Sequence, residues 1–252
     1  MILKDSKMMD VIQISKNVLA RIASMDFEKD GGNSIEHLIF PIKIQKQGTK
    51  KIDRISEQEL RLLFIEEFKI ANPELFYSIE TPTTEKFRLG KLYEKLNPDK
   101  DGRSASLDMC IFERTLNVYN RILNIEFKHK NAIIKNIGKD VLKLLHEPVN
   151  GAFILLLNNT DKGTICNKNE TGVFNKLYKS FSDFNERWSS NDKYLQLIII
   201  SLKQGTLIHR KIIKSELNKL KDIFFIESGC GNINDIKGMG WESERVGKMQ
   251  MI

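Results

Sequence analysis

The sequence predicts an α/β protein in which helices flank a central mixed β-sheet, and three observations lead to this prediction. Segments with helical periodicity alternate with strand-like segments along most of the chain. The segments Gly151–Leu157 and Tyr194–Leu202 are almost continuously apolar, which is typical of strands buried on both faces. The segments Ser106–Phe112 and Arg121–His129 flank a polar turn near Asn117, and they predict an antiparallel β-hairpin.

The other elements follow from apolar periodicity and from residues that start or stop helices and strands. Ser56 and Glu59 have the spacing of a capping box, so a helix should begin there and end at Asn72-Pro73. Before the hairpin, the predicted elements are a helix over Met1–Met25, an extended edge segment over Leu38–Ile44 that contains Pro41, the helix from Ser56, a strand over Leu75–Thr81 stopped by Pro82, and a loop over Thr83–Ser104. After the hairpin, they are a helix over Ala132–His146, the strand Gly151–Leu157, a loop over Asn158–Thr171 and a helix over Val173–Trp188. The strand Tyr194–Leu202 and a short helix over Ser215–Leu220 follow.

Length and composition limit the possible organisation. A chain of 252 residues, 41% of them hydrophobic, suits one packed α/β domain with additions, or two small domains. We divide it into an N-terminal helix and extended segment (1–50), a core (51–228) and a Gly-rich polar tail (229–252). No run approaches the roughly 20 apolar residues of a membrane helix. The polar, charged N-terminus differs from a secretory signal, so we expect a soluble cytoplasmic protein with no membrane partner.

Cysteine spacing bears on the redox state of the protein, and net charge bears on the class of its binding partner. Cys110, Cys166 and Cys230 lie far apart without CxxC spacing, so we expect reduced thiols and neither a disulfide framework nor a zinc site. The formal net charge of +7 favours a polyanionic partner such as nucleic acid. Because the chain is also rich in Lys, Ile and Asn, which can reflect genome base composition, the charge alone does not decide this.

The second strand of the hairpin carries a polar face that suggests chemistry. Side chains alternate along a strand, so Glu126 and Lys128 should point the same way, with Phe127 buried behind them. Asp108 and Glu126 are equidistant from Asn117, and regular pairing would put them opposite one another, with Cβ atoms about 5 Å apart. Opposed carboxylates repel, and a divalent cation such as Mg²⁺ would offset this. Lys128 could then orient or deprotonate an attacking water, or stabilise developing negative charge.

Asp108 followed by Glu126-Phe127-Lys128 resembles the motif of the PD-(D/E)xK nuclease superfamily, which has the restriction-endonuclease-like fold. Leu107 stands where that motif has its proline, a departure that is common in such nucleases. The resemblance covers about 56–157 and implies a helix, a three-stranded meander, a second helix and a further strand. It also implies Mg²⁺-dependent hydrolysis of phosphodiester bonds, with Mn²⁺ able to substitute and with DNA the expected substrate in preference to RNA.

The resemblance also implies that the first core helix supplies a third acid to the catalytic and metal site. We choose Glu59, although the capping box would explain it equally well, and Glu66, Glu67 and Glu80 stay open as alternatives. The helix after the motif would lie beside the cleft. Its lysines at four-residue spacing, and an arginine that precedes the first hairpin strand, are therefore candidates for contact with nucleic-acid phosphates. These candidates are Lys135, Lys139, Lys143 and Arg103.

Two further interpretations stay open at the level of sequence. A short D…ExK pattern also arises in a surface hairpin whose polar residues face solvent, and the chain would then be a non-catalytic nucleic-acid-binding or interaction module that keeps the fold. Alternatively, the N-terminal helix docks the chain in a homodimer or larger complex. GxSxG, GxGxxG and P-loop motifs are absent, which argues against serine-hydrolase, dinucleotide-binding and NTPase classes.

Overall fold

The protein has the mixed α/β architecture that the sequence predicts. The computed structural model describes residues 10–28, 32, 34, 36–44, 51–88, 97–98, 102–166, 171–231, 233, 236 and 238–246. Its helices are α1 (Val11–Ser24), α2 (Glu57–Ala71), α3 (Ile134–His146), α4 (Lys162–Ile165), α5 (Val173–Phe184) and α6 (Leu220–Ile223). Its strands are β1 (Ile42–Ile44), β2 (Lys51–Asp53), β3 (Phe76–Arg88), β4 (Asn97–Pro98), β5 (Arg103–Thr115), β6 (Val118–His129), β7 (Asn150–Leu157), β8 (Tyr194–Ser201), β9 (Thr206–Ile213) and β10 (Glu242–Arg245).

One mixed sheet organises the molecule. Over the described residues it contains eight strands in the order β10-β9-β8-β7-β6-β5-β3-β4, and β1 pairs with β2 separately. Strands β3, β5 and β6 form an antiparallel meander. Strand β7 then joins β6 in parallel after α3, β8 joins β7 in parallel after α5, and β9 and β10 are antiparallel. The expected succession of helix, hairpin, helix and two buried strands is confirmed.

Apolar side chains cover both faces of this sheet. On one face α1 and α2 pack against the strands, with Leu63 and Phe64 fully buried. On the other face α3, α5 and α6 pack, with Leu145 and Phe181 fully buried. Side chains of β7 alternate between the two clusters, which confirms that this strand is buried on both faces. The apolar stripe of α1 is used within its own chain.

The long loop predicted over Thr83–Ser104 is wrong at both ends. Strand β3 continues through Pro82 to Arg88, and β5 already begins at Arg103. The pairing of β3 with β5 is irregular between Pro82 and Lys86, and such an irregularity lets a strand tolerate a residue that cannot donate to the ladder. The prediction for 89–96 and 99–101 lies outside the described residues, as does the part of the N-terminal helix before residue 10.

Residues after 202 were the least well predicted. Strand β9 was not expected, because His209, Arg210 and Lys211 interrupt its apolar pattern. Arg210 is buried beside Glu216, with a hydrogen bond of 2.7 Å between Arg210 Nη2 and Glu216 Oε1. The predicted polar tail contributes strand β10 and the buried Trp241, whose indole donates to a backbone carbonyl of α6.

The expectation that all three cysteines are reduced is also wrong. Cys166 and Cys230 form a disulfide with their Cα atoms 5.6 Å apart, whereas Cys110 is free and buried. Sequence spacing could not show this pair, because 64 residues separate the two cysteines and the fold brings them together. None of the described helices is long and apolar enough to cross a membrane.

Candidate active site

The hairpin register is the one that the candidate site requires. A two-residue turn follows Thr115, which pairs with Val118. The register shifts by one residue between Ile111 and Phe112, and Met109 consequently pairs with Ile125. Asp108 and Glu126 are the next residues in this register. Without the shift, Asp108 would lie opposite Ile125 instead of Glu126. Its side chain would then be on the other face of the sheet from that of Glu126.

Asp108 lies where the regular pairing of β5 with β6 ends. Its Oδ2 accepts a hydrogen bond of 2.7 Å from the backbone N–H of Phe127, so the carboxylate is held directly against the strand that carries Glu126. Arg61 of α2 is the nearest described cation, with Nη1 4.0 Å from Asp108 Oδ1. The same Nη1 lies 2.5 Å from Glu80 Oε1, so Arg61 links β5 to β3.

The two faces of β6 differ as predicted, except that the polar face is not open. Phe127 is fully buried on the apolar face and meets Phe64 of α2 edge-on, with ring centroids 5.2 Å apart. On the polar face, α3 covers the strand, so Asn124 is fully buried and Glu126 is only 1% exposed. The expected solvent-facing surface is therefore a buried polar layer between β6 and α3.

Glu126 is a buried carboxylate with incomplete hydrogen bonding. Lys143 of α3 contacts its Oε1 as an ion pair, yet neither oxygen accepts a hydrogen bond of ordinary geometry from the described residues. Burial raises the pKa of Glu126 well above its usual range, and Asp140 raises it further, while Lys143 acts in the opposite direction. A buried carboxylate in this condition is a strong site for an additional cation.

Lys128 is held at the same place by two acids from different helices. Its ammonium lies 2.8 Å from Asp140 Oδ2 of α3 and 3.7 Å from Glu57 Oε2 of α2, and it donates to its neighbouring Phe127 carbonyl. Burial alone would lower the pKa of Lys128, but Asp140 and Glu57 outweigh this, and the pKa ends above its usual value. Lys128 therefore stays an ammonium at neutral pH.

The acid of α2 that approaches Lys128 is Glu57, whereas the predicted Glu59 caps its own helix. Glu59 accepts the backbone N–H of Ser56 at 2.7 Å in the capping box. Two residues along a helix correspond to about 200°, so Glu57 points away from Glu59 and toward Lys128. Burial raises the pKa of Glu57, and the charge of Asp108 raises it further, which places both carboxylates in one electrostatic environment.

The other acids weighed for this role have different partners. Glu66 and Glu67 both pair with Arg21 of α1, at 2.8 and 3.3 Å. Glu80 pairs with Arg61 and accepts a hydrogen bond from Ser106. These acids therefore connect α1, α2 and the sheet.

The predicted phosphate-contacting residues occupy different environments. Lys143 is buried in the site as the counter-ion of Glu126, so it is not on a solvated lysine face. Lys135 and Lys139 are half-buried on α3, and Arg103 is exposed at the start of β5, where it pairs with Phe87. Sequence analysis missed Glu57, Arg61 and Asp140. The signal for Asp140 was its place within the apolar stripe of its helix, where an acid needs a buried partner.

The charged residues fit a small divalent cation only in part. Within the described ranges, no group of three or more His, Cys, Asp or Glu side chains is arranged as a metal site. The orphaned oxygens of Glu126 and the adjacent Asp108 nevertheless supply the all-oxygen donor set that Mg²⁺ and Mn²⁺ prefer. Asp108 and Glu126 are the residues that would hold such an ion, and Lys143 contacts Glu126 in the described structure.

Two cavities lie away from the charged residues of the candidate site. Cavities of about 370 and 290 Å³ share Tyr194 and Lys211 as lining residues, near the start of β8 rather than beside Asp108. Comparison of the chain with protein-family models, curated proteins and solved structures finds no significant match. Any function must therefore be argued from the site itself.

Proposed function

We propose that the protein is a metal-dependent nuclease that hydrolyses phosphodiester bonds, in DNA in preference to RNA. One observation carries the proposal: Asp108 is held against the strand that carries Glu126 and Lys128, and Glu126 is a buried carboxylate whose oxygens accept no hydrogen bond from the described residues. The succession of α2, the meander β3-β5-β6, α3 and β7 supports it, because it is the order implied by the resemblance to PD-(D/E)xK nucleases.

Each charged residue has a role in this proposal that its contacts support. Asp108 and Glu126 would hold Mg²⁺, or Mn²⁺ in its place, with Glu57 as the third acid. When bound, the ion would polarise the scissile phosphate and make its water more acidic. Lys128 carries a raised pKa, so it acts as a donor that orients the attacking water and stabilises negative charge. Asp140 positions Lys128 through the 2.8 Å ion pair.

Binding of the polyanion is the less specific part of the proposal. The net charge of +7 favours nucleic acid as the substrate. Lys135, Lys139 and Arg103 are proposed to contact phosphates that lie outside the buried layer. Losing one such contact should weaken binding of all sequences equally and should reduce its dependence on salt.

A cleavage assay with matched variants tests the proposal. Full-length protein is incubated with labelled DNA and RNA in Mg²⁺, in Mn²⁺ or in EDTA. Asp108→Asn and Lys128→Met should each lower the rate by about 100-fold or more, the effect expected when a preorganised electrostatic contact is removed. Lys221→Met is the control for Lys128→Met, because Lys221 is exposed on α6 and pairs with Glu227. Equal cleavage by the wild type and both site variants would show that the site is assigned wrongly.

The alternative function is a non-catalytic nucleic-acid-binding or interaction module, and one observation favours it. The acids already have lysine partners, so an alternating series of charges can hold α2 and α3 to the sheet without a metal ion. A wild-type protein that cuts neither DNA nor RNA in Mg²⁺ or Mn²⁺, yet binds nucleic acid in a salt-dependent way, would support this alternative.

A further inference from the structure

We propose that Lys143 is a resident counter-ion of Glu126, which leaves this carboxylate when a divalent cation binds, and that Lys143 thereby sets the affinity of the site for metal. The inference rests on the proposed function, since it concerns the same carboxylate. It adds a role for α3 that neither the motif nor the resemblance supplies.

The contacts of the Lys143 ammonium show that it is fully engaged. It forms the ion pair with Glu126, lies 2.9 Å from Asp140 Oδ1 and donates to the Ser106 carbonyl at 2.8 Å. These three oxygens, from β6, α3 and β5 respectively, surround the ammonium. The side chain is 11% exposed, so solvent does little to compensate Glu126. Lys143 thus occupies the position at which a metal ion would neutralise that carboxylate.

Lys143 and a divalent cation cannot both stay in contact with Glu126. Two positive charges on one buried carboxylate repel strongly, because little water is present to screen them. When Lys143 leaves Glu126, it keeps its contacts with Asp140 and Ser106. Asp140 lies one turn away on the same helix, and Ser106 belongs to β5. Asp140 is therefore the acceptor to which Lys143 retreats, and only one contact must be broken.

Asp140 also connects this exchange to Lys128. Its Oδ1 faces Lys143, and its Oδ2 faces Lys128 at 2.8 Å. The carboxylate consequently serves both lysines at once, and loss of Asp140 should trap Lys143 on Glu126. Removing Lys143 and removing Asp140 should therefore change metal affinity in opposite directions, which a purely structural role for the cluster would not produce.

Calorimetric titration of the full chain with Mn²⁺ tests this. Lys143→Met should bind Mn²⁺ about tenfold more tightly than the wild type, within the 5- to 150-fold range typical of coupled sites, and Asp140→Asn should bind it more weakly. Lys221→Met is the control, because Lys221 is exposed on α6 and pairs with Glu227, and it should bind Mn²⁺ like the wild type. If Lys143→Met is too unstable for titration, the rise in melting temperature from EDTA to Mn²⁺ should be larger for this variant than for the wild type.

The outcomes separate this inference from the proposed function. Equal or weaker Mn²⁺ binding by Lys143→Met, or tighter binding by Asp140→Asn, overturns the inference, and cleavage by the wild type in the same preparation would still support the nuclease. Absence of Mn²⁺ binding in every variant, together with absence of cleavage, overturns both. Tight binding by Lys143→Met alone supports the inference even if the wild type binds too weakly to measure.

Discussion

Replacing Glu57 and Glu59 one at a time by alanine should separate a site acid from a capping acid two residues away. Glu59 accepts the Ser56 N–H at 2.7 Å, and its contact with Arg54 is long, at 3.7 Å, to a side chain that is 46% exposed. An exposed ion pair adds little, so loss of the cap should dominate, at about 1 kcal/mol. In a chain of this size that corresponds to a fall of about 2–4 °C in melting temperature.

Glu57→Ala should give the opposite pattern. The described contact of Glu57 is the 3.7 Å approach to Lys128, so its removal should change stability by less than about 0.5 kcal/mol at neutral pH. A carboxyl group whose pKa is raised on folding binds its proton more tightly in the folded state. The wild type should therefore lose stability relative to Glu57→Ala as the pH rises above 4.5, its ordinary pKa. Cleavage should fall by about 10- to 100-fold, as for residues that support a metal site.

The assay measures cleavage in Mn²⁺ and thermal unfolding on the same preparations of both variants. We expect Glu57→Ala to be stable and slow, and Glu59→Ala to be less stable but to cut at the wild-type rate below its melting temperature. If Glu59→Ala is stable and slow while Glu57→Ala cuts normally, the reasoning from helix geometry is refuted and Glu59 is the site acid after all.

Three further predictions concern the disulfide, a buried ion pair and pH. Reduction, or Cys166→Ser, should lower the free energy of unfolding by about 4 kcal/mol in urea, because the bond to Cys230 closes a loop across 64 residues; unchanged unfolding with and without reductant would contradict this. Glu147→Ala should lower it by about 3–5 kcal/mol by leaving the Arg121 guanidinium, now 3.0 Å away, unpaired, whereas Glu147→Gln should lower it less. In the metal-free protein, the raised pKa of Glu126 should make the wild type lose stability relative to Glu126→Gln as the pH rises above 4.5, the ordinary glutamate pKa; a difference in the free energy of unfolding that does not change with pH would contradict this.

Much of the architecture could be predicted because the relevant signals are local. Apolar periodicity located α2 and α3, continuous apolar runs located β7 and β8, and the capping box located the start of α2. The elements that were missed depend on distant partners. Strand β9 carries Arg210, which is buried only because Glu216 supplies a carboxylate, and no local pattern reveals such a pair.

The candidate site divides in the same way. Sequence alone indicated that Asp108 lies on one strand of a hairpin and that Glu126 and Lys128 share one face of the other, because alternation along a strand and turn residues are local properties. Only the tertiary structure decided the rest. The one-residue shift between Ile111 and Phe112 sets the register that puts Asp108 beside Glu126. The packing of α3 against β6 buries the face that was expected to be open. A carboxylate buried in this way is costly without a cation beside it, and for Glu126 that cation is Lys143.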